Sequence, residues 1–251
     1  MRPVTLVTGA SAGLGAEFAR QCAARGEALA LAARRRDRLE ALAQALEGDA
    51  HVFAADLSLP DAAASLLNEI EAEGLYVDTL INNAGFGLVG RFDRLPADRQ
   101  RQMIDLNVGA LTELARLVLP GMIERGRGAI LNVASTAAFQ PGPNFAVYFA
   151  TKAYVLSFSE ALHQEMQNTG VKVSALCPGP TATEFGAVAG FASSRFDRFA
   201  ADAASVVRAG LTGLDRNKAV IVPGAINKLT AQASRFIPRA AMRRIVARIK
   251  N

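Results

Sequence analysis

The chain has 251 residues, 51% of them hydrophobic, with two cysteines and no tryptophan. That is enough apolar material for one large core and too few cysteines for a disulfide framework. A net charge of +5 and a pI near 9.6 raise nucleic acid as a partner, but the arginines are scattered, with clusters only at 34–36 and 235–248, so none is expected.

The first apolar stretch, Val4 to Val7, runs into Thr8-Gly-Ala-Ser-Ala-Gly-Leu-Gly15 and then into a helix-like segment, Ala16 to Arg25. This reads as strand, glycine turn and helix. Gly9, Gly13 and Gly15 lack the Cβ that would block a close-lying diphosphate, and the free amides of the turn and helix start, around Ser11 and Leu14, favour an anion. The spacing is Gly-xxx-Gly-x-Gly, and the strand before it with the helix after it supply the context that a dinucleotide site requires. The second apolar run, Ala28 to Ala33, ends in Arg34-Arg35-Arg36, with no acid before Asp37. A carboxylate there would bond the ribose hydroxyls, whereas arginine offers a charged fork to a 2′-phosphate. NADP(H) is therefore expected over NAD(H), with Arg34 as main contact and Arg35 as second, the remaining charge being a solvated helix start.

Further short Val, Ile, Leu and Ala runs alternate with helical stretches, which suits a parallel sheet covered on both faces. Strands are expected near 4–8, 28–33, 51–55, 78–82, 129–134, 172–177 and 219–222, in one α/β domain of 1–251. The fold expected is a Rossmann fold, a doubly wound seven-stranded sheet with helices on both faces. On helix-like spacing further along stand Tyr148 and Lys152, four apart, which places a phenol beside an ammonium. A phenol titrates near about 10 and becomes a useful acid or base at neutral pH when a cation stabilises its phenolate. Alone, such a pair also fits a core tyrosine and a surface lysine.

Segment 181–200 breaks the strand and helix rhythm and is a candidate lid. Its Phe185, Phe191, Phe196 and Phe199, with Arg195 and Arg198, suggest an apolar substrate or simply the packing of the lid. Phe139, Gln140, Phe145 and Phe149 flank Tyr148 and could line the same pocket. The tail 227–251 reads as a basic helix, packed on the body or a partner subunit in preference to a membrane surface. Cys22, Cys177, His51 and His163 stand apart without metal-ligand spacing, so no metal is expected. No apolar run approaches about 18 residues and the first strand comes almost at once, so neither a membrane span nor a secretory signal is expected, and the cytoplasm is the default location.

Together these residues resemble the short-chain dehydrogenases and reductases, from about Val4 to Val222. Thr8 to Gly15 is similar to the family's glycine motif. The resemblance implies that Asp56 contacts the adenine, that Asn82-Asn83-Ala84-Gly85 lines the adenosine side and that Asn107 organises a proton-relay water. It implies that Ser135 polarises the substrate and that Pro178-Gly179 with Thr181 and Thr183 holds the nicotinamide carboxamide. Two departures stand out. Ala12 occupies the place where NADP(H)-preferring members often carry a basic residue, and Thr181 stands where an aliphatic residue is usual.

The implied reaction is hydride transfer between NADP(H) and a carbonyl or alcohol. Tyr148 serves as general acid, Ser135 as donor to the oxyanion, Lys152 as the cation that lowers the phenol pKa and binds the nicotinamide ribose, and Asn107 as the link to solvent. The expected substrate is an apolar, medium-sized carbonyl or alcohol. A 3-oxoacyl thioester reductase is the nearest alternative, and an NADP(H)-sensing regulatory protein is the one from another class. The resemblance further implies a homodimer or homotetramer joined through helices near 97–125 and 145–168. Leu111, Leu114, Leu117 and Val118 would form its seam, or core in a monomer.

Overall fold

The structure, a computed structural model, describes residues 1–190, 200–234 and 236–250, with backbone only at 187, 188 and 248–250. Seven strands, β1 (Arg2–Thr8), β2 (Leu29–Ala33), β3 (Ala50–Ala54), β4 (Leu75–Asn82), β5 (Gly128–Val133), β6 (Val171–Leu176) and β7 (Val220–Ile221), form one sheet in the order β3-β2-β1-β4-β5-β6-β7. Every neighbouring pair is parallel. The order reverses between β1 and β4, which opens a crevice at the carboxyl ends of those strands.

Among the described residues ten α-helices connect and follow the strands: α1 (Gly13–Ala23), α2 (Arg36–Ala45), α3 (Ala62–Ala72), α4 (Ala97–Ile104), α5 (Leu111–Glu124), α6 (Ala146–Glu165), α7 (Phe185–Ala189), α8 (Ala203–Asp215), α9 (Ala225–Ala233) and α10 (Arg239–Lys250). Strand side chains alternate between two cores. In β2, Leu29 and Leu31 pack with Phe18 of α1, Leu39 of α2 and Leu211 of α8. Ala30 and Ala32 pack on the opposite face with Leu66 of α3 and Leu114 of α5. Because both faces are covered, the strands are apolar throughout, which is why they read as runs and not as alternations.

Three features depart from the sequence-based expectation. β4 starts three residues early, at Leu75, because Leu75 and Val77 are buried and residues 75–77 pair in register with Arg2, Pro3 and Val4 of β1. The helix expected near 97–125 is broken by a π-helical stretch, Asp105–Ala110, between α4 and α5. The tail is two helices and not one, since Pro238 stands before α10 and cannot continue a helix from its predecessor. Of the residues read as seam or core, Leu111, Leu114 and Val118 are buried within the chain and Leu117 is exposed.

Among the described residues the run Ala97–Glu124 is the one helix long and apolar enough to cross a membrane, but Leu114, Ala115, Val118, Leu119 and Met122 of that run pack into the core with α3 and the sheet. In the tail, Met242 and Val246 of α10 are buried against Phe145, Tyr148 and Phe149. The segment after β6 is pinned at its base, where Thr181 bridges Ala201. Phe191, Arg195, Phe196, Arg198 and Phe199 lie outside the described residues.

Candidate active site

The crevice is built first by Thr8, the last residue of β1. Its hydroxyl donates to the carbonyl of Ile81 at 3.3 Å and accepts from the amides of Asn83 and Ala84, both at 3.0 Å. Asn83 in return donates through Nδ2 to the carbonyl of Thr8 at 2.9 Å. These bonds lock the glycine turn after β1 to the segment Asn83-Ala84-Gly85 after β4. A Cβ on Gly15 would lie 2.1 Å from the carbonyl oxygen of Gly9 and 2.7 Å from Asn83 Nδ2. Gly9 and Gly13 have φ of 66° and 54°, a conformation open to glycine at little strain. The glycines are thus required first by the turn's own packing, a stronger constraint than the clearance around a diphosphate expected from sequence.

The turn also suits an anion. α1 has Ala12 as its N-cap, which supplies no side-chain bond, and no acid in its first turn, so its leading amides and dipole are uncompensated. Arg34 is exposed and forms no ion pair among the described residues. Arg35 donates to Ser11 Oγ at 3.2 Å and lies 3.7 Å from Glu184. Leu14 packs partly buried on the core beneath. Asp56, after β3, accepts from the amide and hydroxyl of Ser58 at 3.1 and 2.7 Å. Glycine turn, bare helix start and unpaired arginine fit a phosphorylated dinucleotide.

At the other end of the crevice β5 runs into Ser135, whose hydroxyl accepts from the amide of Ala137 at 3.1 Å and caps a short 3-10 turn, Thr136–Phe139. The amide of Thr136 donates to the carbonyl of Pro178 at 2.8 Å, which sets Pro178-Gly179 beside it. A Cβ on Gly179 would meet the amide group of Asn227 at 2.6 Å. Thr181 Oγ1 donates to the carbonyl of Gly179 at 3.0 Å, and Thr183 packs over Gly13, 3.2 Å from where a Cβ would stand.

α6 carries Tyr148 and Lys152 on one face, both buried. The hydroxyl of Ser135 stands near enough to the phenol of Tyr148 to favour its ionised form. Lys152 Nζ donates to the carbonyl of Val133 at 2.7 Å and lies 5.8 Å from the centre of the Tyr148 ring. Asn107, in the π-helical stretch, accepts from the amide of Phe86 at 3.1 Å and donates to the carbonyl of Phe86 at 2.9 Å and to Thr151 Oγ1 at 3.1 Å. A Cβ on Gly85 would lie 2.9 Å from Asn107 Oδ1 and 3.6 Å from Lys152 Nζ. Asn107, Ser135, Tyr148 and Lys152 therefore meet around the end of the Asn83-Ala84-Gly85 segment.

Burial pushes the Tyr148 phenol up to about 12, and the Ser135 hydroxyl works against that rise. Burial brings Lys152 down to about 8. The lowering of the phenol expected from Lys152 is absent, because the ammonium is turned to the Val133 carbonyl and desolvation dominates. The phenol keeps its proton at neutral pH.

Phe145 stacks on Tyr148 at 4.4 Å and 17°, and Phe185 of α7 stands 5.3 Å from the same ring. Gly87 makes room for both, since its Cβ would lie 2.6 Å from Phe145 and 3.0 Å from Phe185. Of the residues that could line this pocket, Phe145 packs on Tyr148 and Phe149 meets it edge-on at 6.2 Å, while Phe139, Gln140 and Phe149 also line a cavity of about 420 Å³ toward α10. Sequence reasoning left unassigned Thr8, Thr151, Asn132, Ser159 and Glu184. A threonine at a strand end before the first glycine was a visible signal for Thr8; the others pair across long sequence separations and leave no local pattern.

A family model described as short chain dehydrogenase matches residues 3–192. An NADP-dependent 3-hydroxy acid dehydrogenase of Salmonella typhi is 38% identical over 189 residues, 74% of this chain and 75% of its own length, and curated relatives are matched over 60% to 78% of their lengths. A short-chain dehydrogenase from Sphingobium yanoikuyae, solved in complex with NADPH, superposes with a TM-score of 0.83 at 34% identity over 93% of both chains. A bulky-bulky ketone specific alcohol dehydrogenase from Comamonas testosteroni does so with a TM-score of 0.77 at 30% identity, covering 94% of this chain and 92% of its own. With this fold, this crevice and a match across most of its length, the chain belongs to the short-chain dehydrogenase family.

Proposed function

We propose that this protein is an NADP(H)-dependent oxidoreductase that interconverts the carbonyl and alcohol forms of an apolar, medium-sized substrate. The observation that carries the reading is the meeting of Ser135, Tyr148, Lys152 and Asn107 in one buried site beside the glycine turn. NADPH, when bound, supplies the hydride. Gly9, Ser11, Gly13, Leu14 and Gly15 hold its diphosphate, Arg34 and Arg35 its 2′-phosphate, and Asp56, Asn83, Ala84 and Gly85 the adenosine side. Pro178, Gly179, Thr181 and Thr183 position its carboxamide.

As negative charge develops on the substrate oxygen, the Tyr148 hydroxyl delivers the proton it retains at neutral pH, and Ser135 steadies the oxyanion with a hydrogen bond. Lys152 holds the ribose and keeps a cation near the phenol, while Asn107 fixes the backbone at Phe86 and the helix at Thr151, between which the proton path to solvent runs. The rings of Phe145 and Phe185 against Tyr148 support an apolar substrate, since they present hydrocarbon beside the reacting phenol.

The test is oxidation of NADPH and NADH with a panel of aromatic aldehydes, bulky ketones, diketones and 3-oxoacyl thioesters. Turnover is expected to prefer NADPH and bulky ketones, and Tyr148→Phe should lower it by about 10²–10⁴-fold, the scale of general acid catalysis. NADH preference would refute the roles of Arg34 and Arg35. NADPH binding without turnover of any carbonyl, unchanged by Tyr148→Phe, would favour a sensor.

A further inference from the structure

Two residues outside the reacting site join parts of the crevice that the chain keeps far apart. Arg38, on the first turn of α2, donates through Nη1 to both carboxylate oxygens of Glu184, at 2.9 and 3.1 Å, across 146 positions of sequence. Glu184 immediately precedes α7. One residue before it, Thr183 packs on the glycine turn, 3.2 Å from where a Cβ on Gly13 would stand. Residues 183 and 184 thus run from the turn after β1 to the start of the helix after β2. Those two turns are the walls between which the phosphates and adenosine ribose of a dinucleotide lie in an open α/β sheet.

We propose that Arg38 and Glu184 form a clasp across the mouth of this groove, which holds a seated dinucleotide and slows its release. The inference rests on the cofactor reading given above and adds a retention step that reading does not need. The charges are divided to suit it. Glu184 is taken up mainly by Arg38, lying farther, at 3.7 Å, from Arg35, so the clasp closes on itself and leaves Arg34 and Arg35 to the phosphate. Side-chain exposures of 45% for Arg38 and 53% for Glu184 make the clasp weak and sensitive to salt, since solvent screens such a pair. It is a contact that opens and closes, in contrast to a permanent wall. Arg38 and Glu184 are positioning residues, with no part in proton or hydride transfer.

The experiment is stopped-flow displacement of NADPH from the whole chain, followed by its fluorescence, at low and high salt. Arg38→Gln and Glu184→Gln should each speed release about two- to five-fold, the range an exposed ion pair supports, and the wild type should approach both in high salt. The charge-swapped double variant, Arg38→Glu with Glu184→Arg, should return toward the wild-type rate, which a pair acting on each other predicts and two separate phosphate contacts do not. Release at the wild-type rate in both single variants, or a swapped variant as fast as the singles, would overturn the clasp alone. Slower release from Glu184→Gln would also overturn it, showing a carboxylate that merely repels the phosphate. Failure of NADPH to bind the wild type would overturn the cofactor reading and the clasp with it.

Discussion

The two ends of the crevice are built from different interactions. Around Tyr148 the polar groups are buried and joined: Asn82 Nδ2 donates to Asn132 Oδ1 at 3.0 Å, Asn132 Nδ2 to Ser159 Oγ at 2.9 Å, and Ser159 to the carbonyl of Val155 at 2.6 Å. This chain of bonds ties β4 to β5 and β5 to α6, the helix that carries Tyr148 and Lys152. Around Arg34 the groups are exposed; Arg35 and Arg38 are held by Glu184 and Ser11, and Arg34 forms no ion pair among the described residues. A buried group stripped of its partner costs about 1–3 kcal/mol, whereas an exposed pair contributes about 0.2–1 kcal/mol. The end where atoms must be placed for chemistry is therefore fixed by packing, and the end that holds a large, charged molecule is adjustable.

That contrast can be broken most severely at Asn132, which is fully buried. Asn132→Ala should lower the unfolding free energy by about 1–3 kcal/mol, read from denaturant titration; a variant as stable as wild type would mean that the network adds nothing. At the other end Arg34→Ala should leave stability within about 0.5 kcal/mol but weaken NADPH binding roughly tenfold relative to NADH, as the loss of one charge-assisted bond implies. Parallel calorimetric titrations with the two nucleotides check this, and equal losses for both would remove Arg34 from the 2′-phosphate.

The smallest effect concerns Lys152, brought by burial from 10.5 down to about 8. Between those values the unfolded chain keeps a proton that the folded one has released, so unfolding binds a proton and stability from this group rises with pH. Below about 8 the folded lysine is charged and its contribution no longer changes. The thermal midpoint of wild type relative to Lys152→Met should accordingly climb by a few degrees from pH 7 to 9. A flat difference would show that the buried lysine is not perturbed.

The sheet was largely legible because its strands are buried on both faces, which concentrates apolar residues into runs such as Leu29–Ala33. The glycine turn and the Tyr148 and Lys152 pair were legible because helix and strand geometry converts short spacings into contacts. What escaped was decided by tertiary partners. Asn132 and Ser159 stand 27 positions apart, and neither carries a sign of the other. The start of β4 was hidden because residues 75–77 join the sheet by pairing with Arg2, Pro3 and Val4 of β1, partners more than 70 positions away. Even the direction of the Tyr148 shift was misjudged, since spacing reveals that a cation is near but not how completely water is removed.

The π-helical stretch Asp105–Ala110 also bears on how this chain can change over time. An ordinary α-helix turns by about 100° per residue, and a π turn takes in one residue more than an α turn. Through it Gln100 and Met103 of α4, Asn107, and Leu111, Leu114 and Met122 of α5 all reach the interior. The odd residue is taken up inside this stretch, so that the helix faces on either side keep their phase toward the core; loss of one residue there would leave an ordinary α-helix with that phase nearly kept, whereas loss of one elsewhere in α4 or α5 would turn a buried face by about 100°. The stretch Asp105–Ala110 is thus the one place in this helix where a change of length by one residue can be absorbed without turning Met103 or Leu114 out of the interior.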